Sequence, residues 1–252
     1  MIIRLIGINW LSILDALIRF FGAFIALLIG IYAYKAFKAT EKREYKLLAL
    51  GFFLITFELL VYAIAIPALY IFYNFKPEIT DLTRVLLLRI SHLFNFFFIL
   101  ATLFAYTLFA YLYSKIQSKS VLILLGTLVF ALASYSFSFV SGIGFNLTSI
   151  LLLGFVCYHT IKNYREKRSK NSLYVVVAFS LILLSHAFFV LTDLPSTSNY
   201  LTSFLKIVFG QNIMLYTSSA IQQLYLLGHI SQLFGYLSLF LVILRAQYGK
   251  KK

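Results

Sequence analysis

Two histidines stand in matching surroundings. Arg89-Ile90-Ser91-His92-Leu93-Phe94-Asn95-Phe96 lies in one long apolar run, and Leu226-Leu227-Gly228-His229-Ile230-Ser231-Gln232-Leu233 lies in the last one. Each histidine follows a small residue and precedes a side-chain amide by three positions. On a helix that spacing puts imidazole and amide on one face. Such groups are costly inside a bilayer and mark candidate sites by default. Two neutral imidazoles could be the axial ligands of a b-type haem. With His186 and Glu58, they could instead offer donors to Zn or Cu. The same groups could hydrogen-bond a small polar ligand or relay protons. The plain alternative is interhelical glue, at ~1 kcal/mol per hydrogen bond.

Other polar residues interrupt the apolar runs. Asp15 and Arg19 are four apart, so they share a helix face and can form an ion pair. Glu58 has no partner on its own helix and must find a cation, share a proton or be neutral. Arg89, His92 and Asn95 make one stripe, while Arg84 and Arg89 can snorkel outward. Gln222, His229 and Gln232 fall on the last run. The candidate ligand-binding set is therefore His92, Asn95, His229, Gln232, Glu58 and His186. The metal candidates within it are His92, His229, His186 and Glu58. His159 adjoins a basic loop and reads as interfacial. There is no P-loop, dinucleotide fingerprint, HExxH or nucleophile elbow. No residue is assigned a catalytic role, and an enzyme is not expected.

Long helices must position these groups. The hydrophobic fraction is 62% and only 12% of residues are charged, far from the balance of a soluble domain. Several runs exceed the ~20 apolar residues that cross a hydrocarbon core. Seven spans are predicted, at about 9–35, 46–73, 83–113, 120–140, 146–162, 172–192 and 220–245. The fold class is thus all-α, a single transmembrane domain over 1–252 ending in a tail at 246–252. The net charge of +14 sits in loops between the spans, as orientation signals do, and does not call for nucleic acid. The lone Cys157 excludes an internal disulfide and a CxxC metal site. The first run lacks an Ala-x-Ala cleavage pattern and reads as a retained helix.

The charged loops alternate. Lys35, Lys38, Lys42, Arg43 and Lys46 follow the first span, Lys115 and Lys119 the third, and Lys162, Arg165, Lys167, Arg168 and Lys170 the fifth. The tail adds Arg245, Lys250, Lys251 and Lys252. The positive-inside rule then puts the N-terminus outside and the C-terminus in the cytoplasm of a multi-pass cell-membrane protein. Asn146-Leu147-Thr148 is a sequon in a loop expected to face outward. Tyrosines near span ends, such as Tyr45, Tyr70, Tyr73, Tyr111, Tyr113, Tyr158 and Tyr164, suit the headgroup region. An interfacial helix is expected over Leu201–Leu215.

The chain also reads as a tandem repeat. Tyr34-Lys35-Ala36-Phe37-Lys38, a basic loop and Leu50–Ile55 begin one half. Tyr158-His159-Thr160-Ile161-Lys162, a basic loop and Val177–Ile182 begin the other. The halves are 9–113 and 146–245, joined by a linker helix at 120–140, which makes both run the same way. In architecture alone this three-plus-one-plus-three plan resembles the SWEET sugar transporters; their Pro-Gln loop signature is absent. A retinal protein is excluded, because 220–245 holds no lysine for a Schiff base. The expected function is an outward-facing polar pocket that binds, senses or transports a small ligand, proton or metal. The alternatives are a haem electron-transfer subunit and a non-catalytic accessory subunit of a membrane complex. The expected partners are the lipid bilayer and a membrane-protein partner or second copy.

Overall fold

Lipid offers no partner to a backbone N–H or C=O, so each apolar run must close its own hydrogen bonds as a helix. The computed structural model describes residues 10–75, 81–114, 142–197 and 213–248, with seven further positions between 120 and 131. Side chains are described over 13–64, 89–90, 93–114, 143–193 and 223–245 and at those scattered positions. The helices are α1 (Trp10–Thr40), α2 (Arg43–Phe75), α3 (Asp81–Tyr113), α4 (Gly142–Lys167), α5 (Lys170–Thr197) and α6 (Ile213–Tyr248). All six contain a stretch long and apolar enough to cross a membrane. The chain is therefore a multi-pass membrane protein, with no strand among the described residues.

The span expected over 120–140 falls between α3 and α4. Its described positions are helical, and Val129 is buried with Ile99 and Leu103 of α3. The rest of that span lies outside the described residues. Three expected edges are corrected. The helix expected at 146–162 begins at Gly142 and runs to Lys167. The loop expected from Thr192 is still helix through Thr197. Of the interfacial helix expected over Leu201–Leu215, residues to 212 lie outside the described set, and 213–215 belong to α6.

Short links dictate how neighbours run. Glu41 and Lys42 join α1 to α2, and Arg168 and Ser169 join α4 to α5. Each link turns on a non-glycine residue in the left-handed region, Glu41 at φ 55° and Arg168 at φ 46°. In both, that residue's N–H donates to the carbonyl four back, Phe37 or Tyr164, at 2.7 Å. This bond satisfies an otherwise orphaned helix-terminal carbonyl. It helps offset the ~1–2 kcal/mol that a side chain costs in that region.

The helices close into a ring in chain order, each against the next and α6 against α1. Neighbours α2 and α3 are antiparallel: Phe52 meets Phe109 (ring centroids 5.1 Å apart) and Tyr62 meets Phe98 (4.8 Å). Helices α1 and α6 are parallel, with Arg19 against His229 and Tyr32 against Phe240. Both links therefore lie at the same end as the C-termini of α3 and α6. Lys38, Lys42, Arg43, Lys46, Arg165, Lys167, Arg168, Lys170 and Arg245 gather at this basic end. The half of the bundle above it is sealed by Phe52, Phe109, Phe179, Ile182 and Leu239, all buried. Leu50, Phe57 and Ile64 recur every seven residues on the outside of α2, where lipid would cover them. The polar groups occupy the opposite half.

Candidate functional site

Arg19 is the hub of one network. The four-residue spacing brings Asp15 beside it on α1, and Arg19 Nε donates to Asp15 Oδ1 and Oδ2 at 3.1 Å each. Nη2 donates to the Tyr225 hydroxyl at 2.7 Å and to His229 Nε2 at 3.0 Å, both on α6. The guanidinium plane sits 3.8 Å from the centre of the Tyr62 ring on α2. Five donors in a flat fork suit this crowding, and only 5% of Arg19 is exposed. A guanidinium can only donate. His229 Nε2 is therefore an acceptor, and its ring is neutral with the proton on Nδ1. The 3.3 Å approach of Asp15 Oδ1 to Nε2 is a contact bridged by Arg19, not an ion pair of its own.

His186 is the middle of a second network. Its Nδ1–H donates to Asn146 Oδ1 at 2.8 Å, and the Tyr106 hydroxyl donates to its Nε2 at 2.9 Å. Asn146 Nδ2 donates onward to Asp193 Oδ2 at 3.0 Å. Behind Tyr106, Tyr236 is hydrogen-bonded to it, and Gln232 Nε2 donates to the Tyr236 hydroxyl at 3.0 Å. Every donor can thus point one way, from Gln232 through Tyr236, Tyr106, His186 and Asn146 to the Asp193 carboxylate. Such a chain polarises each link in the same sense.

Between the two networks lies a cavity of about 90 Å³. Arg19, Glu58, Asn95, His186, His229 and Gln232 supply polar groups to its wall. Phe98, Phe145 and Phe189 supply rings. Glu58 is 2% exposed and bonded to Thr102, yet its Oε2 has no hydrogen-bond partner. At ~1.5 Å per residue, Glu58 stands ~24 Å along α2 from the link.

Of the residues expected from sequence, Asn95, His229, Gln232, Glu58 and His186 come together on this cavity. Asp15 and Arg19 form the expected ion pair. His92 lies on α3, but its side chain is outside the described residues. Arg89 is exposed. The reading of Asn146 as a loop sequon is corrected. It lies one turn inside α4, is buried, and spends its amide on His186 and Asp193.

Among the described residues, the donor set does not fit a transition metal. No group of three or more His, Cys, Asp or Glu suited to a metal occurs among the described residues. Both nitrogens of His186 are engaged, and His229 Nε2 faces a guanidinium. Sequence reasoning missed Tyr62, Tyr106, Tyr225 and Tyr236, having assigned tyrosine to the headgroup level. For Tyr62, Tyr106 and Tyr236 the signal was position, well inside an apolar run and not at its edge; Tyr225, five residues into its run, gave none.

No protein-family model, curated protein or solved structure matches the chain.

Proposed function

We propose that this is a binding module of the cell membrane. Its pocket opens outward and takes a small polar ligand, as a sensor or a transporter does. One observation carries the reading: a buried carboxylate oxygen, Glu58 Oε2, stands without a partner on the wall of a polar cavity. A role as glue leaves that oxygen on the cavity wall unexplained, because an unmade bond in a dry site costs ~1–3 kcal/mol. The apolar floor of Phe52, Phe109 and Phe179 favours a pocket with one mouth over a continuous pore. The excess of Lys and Arg at the floor end supports its assignment to the cytoplasm, with the pocket facing out. The occupied imidazoles argue against the haem and Zn or Cu versions.

A tandem repeat supports the reading. The two links share geometry, and one sequence offset relates Glu41 to Arg168, Phe37 to Tyr164, and Leu50–Ile55 to Val177–Ile182. Exposure follows it: Phe52 and Phe179, Ile55 and Ile182, Glu58 and Ser185 are buried, while Phe57 and Leu184, Ile64 and Leu191 are exposed. The same offset carries Arg19 onto Asn146 and Tyr62 onto Phe189. It carries Tyr34 onto Ile161, three residues beyond the sequence pairing with Tyr158. Phe98 packs on Tyr62, and Gly228 lies under Phe189. These two packing partners set an offset three residues longer for the last helix of each half, in which Tyr106 matches Tyr236 and Ile99 matches His229. His92 is then about two turns short of the place that mirrors His229. The halves are α1–α3 and α4–α6. Arg19–His229 and Tyr106–His186 each bridge them, so a ligand here would bias their relative position.

A reagent that cannot cross membranes tests the pocket. In a Cys157→Ser background, a thiol-reactive maleimide added outside intact cells should modify Asn95→Cys. Modification only after the cells are opened would overturn the reading.

A further inference from the structure

We infer that the cavity receives a small organic cation bearing N–H donors, a primary ammonium, with Glu58 Oε2 as its anchor. The inference rests on the pocket proposed above and names its ligand class.

The charges facing the cavity are Glu58, Asp193 and Arg19. Arg19 directs Nε to Asp15 and Nη2 to Tyr225 and His229, and although its charge also acts on Glu58, it makes no hydrogen bond to Oε2. The His229 ring is neutral because its Nε2 accepts from a guanidinium, and the buried His186 ring has a neutral partner on each nitrogen, Tyr106 and Asn146. Two carboxylates therefore face the space, and the cation among them has a third carboxylate as its partner. An anion has no place here. A neutral alcohol could bond to Oε2 but would leave the charge uncompensated. A protonated Glu58 would still present Oε2 without a partner. An ammonium supplies the missing donor and the missing charge together, in a short charge-assisted bond.

The rest of the wall fits the same guest. Phe98, Phe145 and Phe189 line the cavity, and Phe98 and Phe145 stand 5.6 Å apart. Ring faces attract organic cations, and more so where water is excluded. Carbon walls serve an inorganic cation poorly, since hard metals ask for about six or more oxygens. The volume of about 90 Å³ corresponds to several waters at ~10–15 Å³ of such space each. That limits the guest to a short chain.

The test uses the full chain in lipid nanodiscs, with thermal unfolding and direct binding as readouts. Propylammonium chloride should bind saturably and raise the unfolding midpoint. Propan-1-ol should not bind, and tetramethylammonium, which has no N–H, should bind about tenfold more weakly or worse. Glu58→Gln keeps the shape and should lose propylammonium affinity by at least about tenfold. Equal binding of propylammonium and propan-1-ol would overturn the inference, as would full affinity in Glu58→Gln. Saturation by sodium chloride alone would also overturn it. If Glu58→Gln does not fold, the comparison of ammonium with alcohol on the unaltered chain decides. If Asn95→Cys reacts from outside but no amine binds, the pocket stands and the ammonium falls.

Discussion

At the scale of single residues, the price of burial in lipid governs the site. Arg19 and Asp15 are each tolerable only because of the other. Removing one partner of such a pair strands a charge, which costs ~3–5 kcal/mol. Arg19→Met and Asp15→Leu should each lower the unfolding midpoint strongly, while the double variant should lose much less than the sum of the two. Additive losses, measured by reversible unfolding in detergent, would show that the pair is not coupled. The pair was legible in the sequence because its members are one helical turn apart. The His186 network was not, since Tyr106 and Asn146 come from 80 and 40 residues away. No local spacing encodes those meetings. Asn146 misled for a further reason. The two glycines and the asparagine in Gly142–Asn146 lower the local hydropathy and so hide the first turn of α4.

At the scale of elements, close approach sets what each helix pair tolerates. A Cβ at Gly235 would lie 2.6 Å from Ile182 Cγ1 and 2.9 Å from the Ala178 carbonyl oxygen. The second neighbour is backbone and cannot turn aside, so Gly235→Ala must push α5 and α6 apart. At Gly154 the nearest atom is Leu183 Cδ1 at 3.7 Å, which is ordinary contact. Gly235→Ala should therefore destabilise by ~1–3 kcal/mol. Gly154→Ala should be neutral or mildly stabilising, by up to ~1 kcal/mol of helix propensity. Thermal unfolding of the two variants side by side checks this, and equal midpoints would contradict it. Helix type, and six of the seven predicted spans, were legible from apolar run length. Helix ends were not, because hydropathy averages over a window while a helix stops at a local event. The left-handed Glu41 and Arg168 are such events, and neither carries the glycine that commonly announces one.

At the scale of the whole molecule, charge and cavity lie at opposite ends. On the proposed placement of the basic end in the cytoplasm, Ser169→Cys should resist an impermeant maleimide on intact cells and react once they are opened. Reaction on intact cells would invert the topology and turn the pocket inward. That one end would be basic was legible from the spacing of Lys and Arg. That Glu58, Asn95, His186, His229 and Gln232 would share one pocket was legible too; that Tyr62, Asn146 and Tyr225 would complete it was not, because ring closure of the helices decides it. The two-residue links have a mechanical corollary. Each ties a helix pair tightly at the charged rim and leaves its far ends free of that constraint. The pairs α1–α2 and α4–α5 are thereby built like tweezers joined at the basic side, and any loosening between the arms is felt first at their tips, beside the cavity.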